Sequence, residues 1–457
     1  MSNFAEQFKQ YNTHRLPADA TRFCHAPFNN LYFGNRGFVM ACCSNRLHVL
    51  GRYPMQSIND VWRGEKAKNL RAAMNSHDFS KGCQSCYAVF ETGNYAGVPA
   101  NVYDRHTHVG TYPKRMEFEL SNTCNLECVM CTGELSSSIR ERRDKKPPIP
   151  SPYDDAFLKQ LDEYIPHLQT AQFLGGEPFL IPIYFQIWER MTELNPDIRI
   201  SIQTNGTILN ARVKELLAKL KVSISISIDS IDPEVYPTIR KNGDIVRVKQ
   251  HVAWFSEYVK EKGTSMSISF CPMQQNWREI PAMVEFANRH GASIFFNSVF
   301  QPATCSLMGL PIERLNEITE YLDKATLPNA TALEQGNLRR FNDIKAFVEG
   351  LKSQSGSNIE DQLRSNITFE EYLEEAQNFI NQQADLSLQQ KQETYQSISD
   401  KLHFMMACAE QDGLLEDAKR AIVTVTIPNL YRFLPSSEDK ERLYVLFKEK
   451  YLKEVVQ

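Results

Sequence analysis

The sequence predicts an α/β protein: a partial (β/α)6 barrel of TIM type, preceded by a small cysteine-rich module and followed by a helical annex. Three observations carry this. Short apolar or alternating runs recur six times between about residue 115 and residue 305, and helix-like stretches lie between them, which is the pattern of βα units on a parallel sheet. Eight of the eleven cysteines fall between Cys24 and Cys131. From Leu310 onward glycine becomes sparse, Gln, Glu and Lys rise, and apolar residues keep helical spacing. The expected domain limits are 1–110, 111–309 and 310–457.

The six strand candidates are KRMEFELS (114–121), TAQFLGG (170–176), DIRISIQTNG (197–206), VSISISID (222–229), SMSISFCP (265–272) and ASIFFNSVF (292–300). Six units make about three quarters of an eight-unit barrel. Two of the intervening helical stretches, VRVKQHVAWFSEYVKEKG and EIPAMVEFANRHGA, close on glycine, as helices commonly do. In the annex, Leu338, Phe341, Ile344, Phe347, Val348 and Leu351 fall on one stripe, and 368–411 and 437–455 continue in kind. A linker, SQSGSN (353–358), divides the annex. Such helices can shape a substrate entrance or simply pack over the open side of an incomplete barrel.

Composition excludes some partners. With 51 basic and 55 acidic residues among 457, the net charge is -4, so nothing global attracts nucleic acid or an anionic membrane. The N-terminus is polar, and no stretch reaches the roughly 18 to 20 apolar residues of a membrane span. A soluble, cytoplasmic protein is expected, with neither nucleic acid nor membrane as partner. In a long chain with no signal peptide, eleven cysteines point to metal or catalytic chemistry rather than to disulfides.

In barrels of this kind the chemistry sits on loops at the C-terminal ends of the strands. Cys124, Cys128 and Cys131 follow the first strand, GGEP the second, TNG the third and SID the fourth. A Cys-x3-Cys-x2-Cys loop lets three thiolates converge on a compact cluster, whereas structural zinc usually draws its ligands as two separated pairs. A [4Fe-4S] cluster held by three cysteines leaves one iron open to an outside ligand.

These residues resemble the radical SAM superfamily. The resemblance implies that the open iron binds the amino and carboxylate groups of S-adenosylmethionine. It implies that Gly175, Gly176, Glu177 and Pro178 receive the methionine ammonium, and that Thr204, Asn205, Ser227 and Asp229 contact ribose and carboxylate. Met130 stands where the family usually has an aromatic, and it reaches adenine partly through its backbone.

A second cluster is written near the N-terminus. Residues 24–43, CHAPFNNLYFGNRGFVMACC, read as two short strands around Asn35-Arg36-Gly37, with Cys24 entering and Cys42-Cys43 leaving. Cys83-x2-Cys86 supplies a second pair. Four thiols in two pairs fit an iron-sulfur cluster or a zinc ribbon, and either Cys42 or Cys43 can be the ligand, because neighbours in a strand point to opposite faces. The segment resembles the SPASM/twitch module of radical SAM enzymes, with Gly37 to Cys42 as Gly-x4-Cys and Trp62, Lys68 and Arg71 on the following helix. That likeness implies an auxiliary [4Fe-4S] cluster on Cys24, Cys42, Cys83 and Cys86. In many relatives the module follows the barrel; here it comes first.

The resemblance implies reductive cleavage of S-adenosylmethionine to a 5'-deoxyadenosyl radical that takes hydrogen from a substrate, with a reducing partner such as flavodoxin or ferredoxin. A ribosomally made peptide, crosslinked or epimerised, is one expected substrate. A small molecule or sugar, dehydrogenated or epimerised, is the alternative, and a metal-stabilised peptide-binding protein without turnover is a second. Cys305, just after the sixth strand, is a candidate hydrogen donor, set against the plain reading of a buried, inert thiol.

Overall fold

The computed structural model describes residues 2–15, 21–106, 110–354, 367–383, 386–423, 425, 427, 430, 431, 434 and 439–452. The chain packs as two compact units, one of residues 1–117, 155–168 and 361–457, the other of 118–154 and 169–360.

The first unit begins its sheet with β1 (Asn30–Phe33), β2 (Phe38–Met40) and β3 (Gly51–Arg52), antiparallel in sequence order. Gly37 makes the β1–β2 turn possible: its φ of 81° lies in the left-handed region that side chains avoid. Register pairs Tyr32 with Met40 and Phe33 with Val39. The helix Ile58–Arg63 starts on a capping box, Ser57 with Asp60. Helices Glu65–Asn75 and Gln84–Glu91 follow.

The same unit contains Phe369–Asn381, Leu388–Gln411, Leu415–Val423 and Lys440–Tyr451, whose apolar stripes close one core around Tyr372, Ile398, Leu402, Met405 and Ile422. The methionine pair Met405-Met406 is therefore packing, as its helical spacing predicts.

Of the six expected strands, five lie wholly in the second unit, and the first reaches it only with its last residue. β4 (Arg115–Phe118) ends at its border; Phe118 O accepts from Leu174 N at 2.8 Å. β5 (Glu127–Cys128) lies in the loop that follows. β6 (Thr170–Phe173), β7 (Arg199–Thr204) and β8 (Val222–Ser227) pair in parallel, and after the short β9 (Arg240–Lys241) come β10 (Met266–Phe270) and β11 (Ser293–Phe296), parallel to β8 and to each other. β5 and β9 form a separate antiparallel pair.

One face of this sheet is apolar: Ile200, Ile202, Ile224, Ile226, Ile268 and Ile294 are all buried, and helices Ile245–Lys262 and Ile280–Arg289 pack against β8, β10 and β11. The other face is polar, and the register lines it up in rows. Gln172 pairs with Ser201 and Ser201 with Ser223; Gln203 pairs with Ser225, Ser225 with Ser267 and Ser267 with Ser293.

Helices Ile312–Asp323 and Ala332–Gln354 also belong to this second unit. Phe341, Ile344, Val348 and Leu351 of the predicted stripe are buried. The region beyond Leu310 is thus shared between the two units. Most of the predicted linker 353–358 lies outside the described residues. Among the described residues no helix is long and apolar enough to cross a membrane.

Candidate functional site

The loop after β4 is held by its backbone before its thiols are considered. Cys128 sits in β5 opposite Arg240 of β9, Val129 N donates to Ile239 O at 2.9 Å, and Cys131 N turns back to Cys128 O at 3.0 Å. Ser137 Oγ accepts from Cys124 N at 3.1 Å, and Ser138 Oγ donates to Cys124 O at 2.7 Å. Burial pushes the Cys124 thiol up to about 11 and the Cys128 thiol up to about 12, and Cys131 adds to both. Thiols gathered in one loop, two of them held back from ionisation by burial, suit a positively charged iron-sulfur core, which takes them as thiolates.

The GGE turn after β6 is packed against that loop. Gly175 has φ 102°, and a Cβ there would stand 2.7 Å from Ser121 O; at Gly176 it would stand 2.2 Å from Thr123 O. Gly176 N donates to Ser121 O at 3.1 Å and Glu177 N to Thr123 O at 2.7 Å. The glycines thus let the turn approach the chain's own cysteine loop, backbone to backbone. Pro178 opens a short 3-10 turn that Glu177 caps.

Glu177 is fully buried and takes three hydrogen bonds: from Asn205 N at 2.7 Å, Thr204 Oγ1 at 2.8 Å and Phe179 N at 3.1 Å. Its carboxylate ties the ends of β6 and β7 together. Asn205 Nδ2 then reaches Asn125 Oδ1 at 3.0 Å and Cys124 Sγ at 3.9 Å. Glu177, Thr204, Asn205 and Cys124 are one network.

Burial raises the Glu177 carboxyl to about 7, the three hydrogen bonds and Arg240 pulling the other way. An acid raised in the native state keeps a proton that the unfolded chain loses, so the contribution of Glu177 to stability is most favourable below about pH 4.5 and declines toward pH 7, by about 3 kcal/mol in all. Glu177→Gln is expected to remove this slope while lowering the whole curve. Calorimetric unfolding of iron-free protein from pH 5 to 8 checks it; an unchanged slope assigns the effect to another group.

Ser227 Oγ accepts from Gln203 Nε2 at 3.4 Å. Asp229 is differently engaged. It is fully buried, its Oδ1 accepts from Cys271 N at 2.8 Å, and its Oδ2 lies 2.7 Å from Arg240 Nη2. Arg240 Nη1 is 3.9 Å from Cys128 Sγ. Sequence reasoning missed this arginine, because 112 residues separate it from the cysteine. Met130 and Cys305 share one apolar cluster with Ile239, Met273 and Val299; Cys305 is 2% exposed, with Gln275 Nε2 3.6 Å from its sulfur.

In the first unit, Cys24, Cys42, Cys83 and Cys86 line a single cavity walled by Phe23, Leu70 and Met74. Cys43 faces away, toward Tyr103 Oη at 3.9 Å and Ser44 Oγ at 4.0 Å. The helix after β3 is pinned to the Cys24 segment by Arg71, which donates to Pro27 O and Trp62 O and lies over the Trp62 ring. Among the described residues no group of three or more His, Cys, Asp or Glu is arranged to hold a bare metal ion. Burial, together with the other thiols, raises Cys24 and Cys42 well above the ordinary range, Cys83 to about 12 and Cys86 to about 11.

Backbone and side-chain N–H groups already point at these sulfurs: Ala26 N to Cys24 at 3.4 Å, Asn45 N to Cys42 at 3.3 Å and Asn45 Nδ2 to Cys83 at 3.6 Å. Four thiols, three such donors and apolar walls fit a closed iron-sulfur cluster. Asn45 bridges both thiol pairs. Such donors favour the more negative, reduced cluster, so Asn45→Ala is expected to lower its potential by about 40 mV, one hydrogen bond of about 1 kcal/mol in a one-electron couple. Potentiometric EPR in a Cys124→Ala background isolates this cluster; a potential that does not move removes Asn45 from its control.

Comparison with known proteins agrees with this geometry. Residues 118–287 match the model of the radical SAM superfamily, and residues 24–87 match that of an iron-sulfur cluster-binding domain, SPASM. The second match assigns iron-sulfur rather than zinc to the N-terminal thiols. Among curated proteins, a probable GTP 3',8-cyclase of Methanocaldococcus jannaschii is 26% identical over 221 residues, 47% of this chain and 70% of that protein. The antilisterial bacteriocin subtilosin biosynthesis protein AlbA of Bacillus subtilis is 25% identical over 187 residues, 40% of this chain and 38% of its own length. Among solved structures, Streptococcus suis SuiB bound to S-adenosylmethionine aligns at 17% identity and TM-score 0.35, covering 56% of this chain and 57% of that one. The chain thus spans between about two fifths and seven tenths of the length of these relatives.

Proposed function

With a radical SAM domain and a SPASM iron-sulfur domain, this chain is a radical SAM enzyme, and we propose that it modifies a ribosomally made peptide. Cys124, Cys128 and Cys131 would hold a cluster that would supply the one-electron reduction of bound S-adenosylmethionine on which hydrogen abstraction from the substrate depends. The chain's own part is placement. The observation that carries the reading is that the three-thiol loop, the GGE turn and the Thr204-Asn205 turn are hydrogen-bonded to one another at one rim of the sheet.

In this reading Cys124, Cys128 and Cys131 would be the protein ligands of the cluster. The Gly175–Pro178 and Thr204-Asn205 turns line the place of the cofactor's methionine and ribose, Ser227 stands at the next strand end, and Met130 offers its backbone to adenine. Asp229 acts through Arg240, orienting the cation beside Cys128. Cys24, Cys42, Cys83 and Cys86 would hold the auxiliary cluster, which would supply an electron relay or an acceptor for an electron from the substrate. Cys305 is the candidate hydrogen donor.

Peptide as substrate is supported by the likeness to a bacteriocin biosynthesis protein. A small-molecule substrate is the second reading, and the likeness to a probable GTP 3',8-cyclase favours it. The test is anaerobic reconstitution with iron and sulfide, then assay for 5'-deoxyadenosine from S-adenosylmethionine under dithionite. No nucleoside above background overturns the reading.

A further inference from the structure

A parallel sheet is normally covered on both faces, and its strands read as near-continuous apolar runs. Barrel interiors are filled in the same way, by layers of branched apolar side chains. The sheet of the second unit breaks this rule on one face only. Its helix-covered face is Ile and Val, while the opposite face presents Gln203, Ser225, Ser267 and Ser293 in one row, with the Gln172, Ser201 and Ser223 row beside it. Ser225, Ser267 and Ser293 are partly accessible and Gln203 is exposed.

Polar residues at positions a core would claim are errors unless they serve a function. Serine there does two things: it leaves room above the sheet, and each hydroxyl both donates and accepts. Neither row itself holds an ionisable side chain; Arg199 of β7 faces the same way one step before Ser201, and Arg340 lies over the Phe295 ring. The face is also continuous with the cofactor rim. Ser227 sits two residues beyond Ser225 on β8, and Asn205 two beyond Gln203 on β7.

We propose that this serine-lined face is the substrate floor, and that its occupant is an uncharged stretch of peptide whose backbone amides and small or polar side chains are matched by hydroxyls. The proposal rests on the peptide-modifying reading and narrows it. A triphosphate would require cations that the rows lack, and an apolar segment would leave the hydroxyls unpaired, which costs binding.

The experiment uses the full-length reconstituted enzyme and fluorescein-labelled decapeptides read by anisotropy: one series of Ser, Gly, Gln and Asn only, and others carrying Lys, Glu or Leu. The neutral polar series is expected to bind at least about tenfold tighter than the rest. Ser225→Ala with Ser267→Ala weakens it about tenfold, the loss of two hydrogen bonds. Ser225→Asp moves the preference to the Lys series, a gain that a misfolded variant cannot give. Tightest binding of a charged or Leu-rich series, displacement by maltoheptaose, no binding of any series, or indifference to both variants each overturns the proposal. Parallel assay of wild-type 5'-deoxyadenosine separates the two readings: nucleoside without the expected peptide preference sinks this inference alone, and absence of nucleoside sinks the radical reading.

Discussion

Cys128→Ala is expected to retain about four irons per chain where the parent holds about eight, and to release no 5'-deoxyadenosine above background. The loop should survive the change, because Cys128 is held by the β5–β9 ladder and its neighbours by Ser137 and Ser138, none of which uses the Cys128 sulfur. What the variant loses is one of three thiolates, and a cluster with a ligand already left open tolerates no second vacancy. Cys124→Ala and Cys131→Ala should behave alike. The N-terminal site gives the matched contrast: Cys42→Ala should lose the other four irons, whereas Cys43→Ala, whose sulfur faces Tyr103, should keep all of them. Iron assay and anaerobic chromatography of the nucleoside measure both. Nucleoside from Cys128→Ala would end the assignment of this loop, and iron loss in Cys43→Ala would reverse the choice between the neighbours.

That choice marks where sequence reading stops. Alternation along a strand says that one of Cys42 and Cys43 faces a metal; only the packed cavity says which. Three of the six strands were legible because Ile alternates with Ser in RISIQT, VSISIS and MSISF, and the rim followed from the order of the βα units. The helical stripes were legible too. Their partners were not, since periodicity gives the face a helix buries and not the element it buries it against, and the helices beyond Leu310 divide between two units. Asn45 left no signal, because a donor to sulfur has no characteristic spacing. Glu177 was legible as a site residue, but its three backbone and side-chain donors were not.

Arg240→Met is expected to cost about 3 to 5 kcal/mol of stability at neutral pH, the penalty of stranding a buried carboxylate. Asp229 has no exposure to water, and Arg240 is the cation against it. Burial opposes the charge on Arg240, but Asp229 first and Cys128 next hold it firmly protonated. Arg240→Lys keeps the charge and loses the fork that reaches carboxylate and sulfur together, so it should recover part of the stability and little of the nucleoside yield. Arg240→Met with Asp229→Leu removes both charges. Its stability should return toward that of the parent, while 5'-deoxyadenosine formation stays low, because the cation beside Cys128 is still missing. Denaturant unfolding of the iron-free proteins and the nucleoside assay of the loaded ones read the two effects apart. Recovery of both in the double variant would reduce Arg240 to a structural ion; recovery of stability alone makes it the residue that positions Cys128.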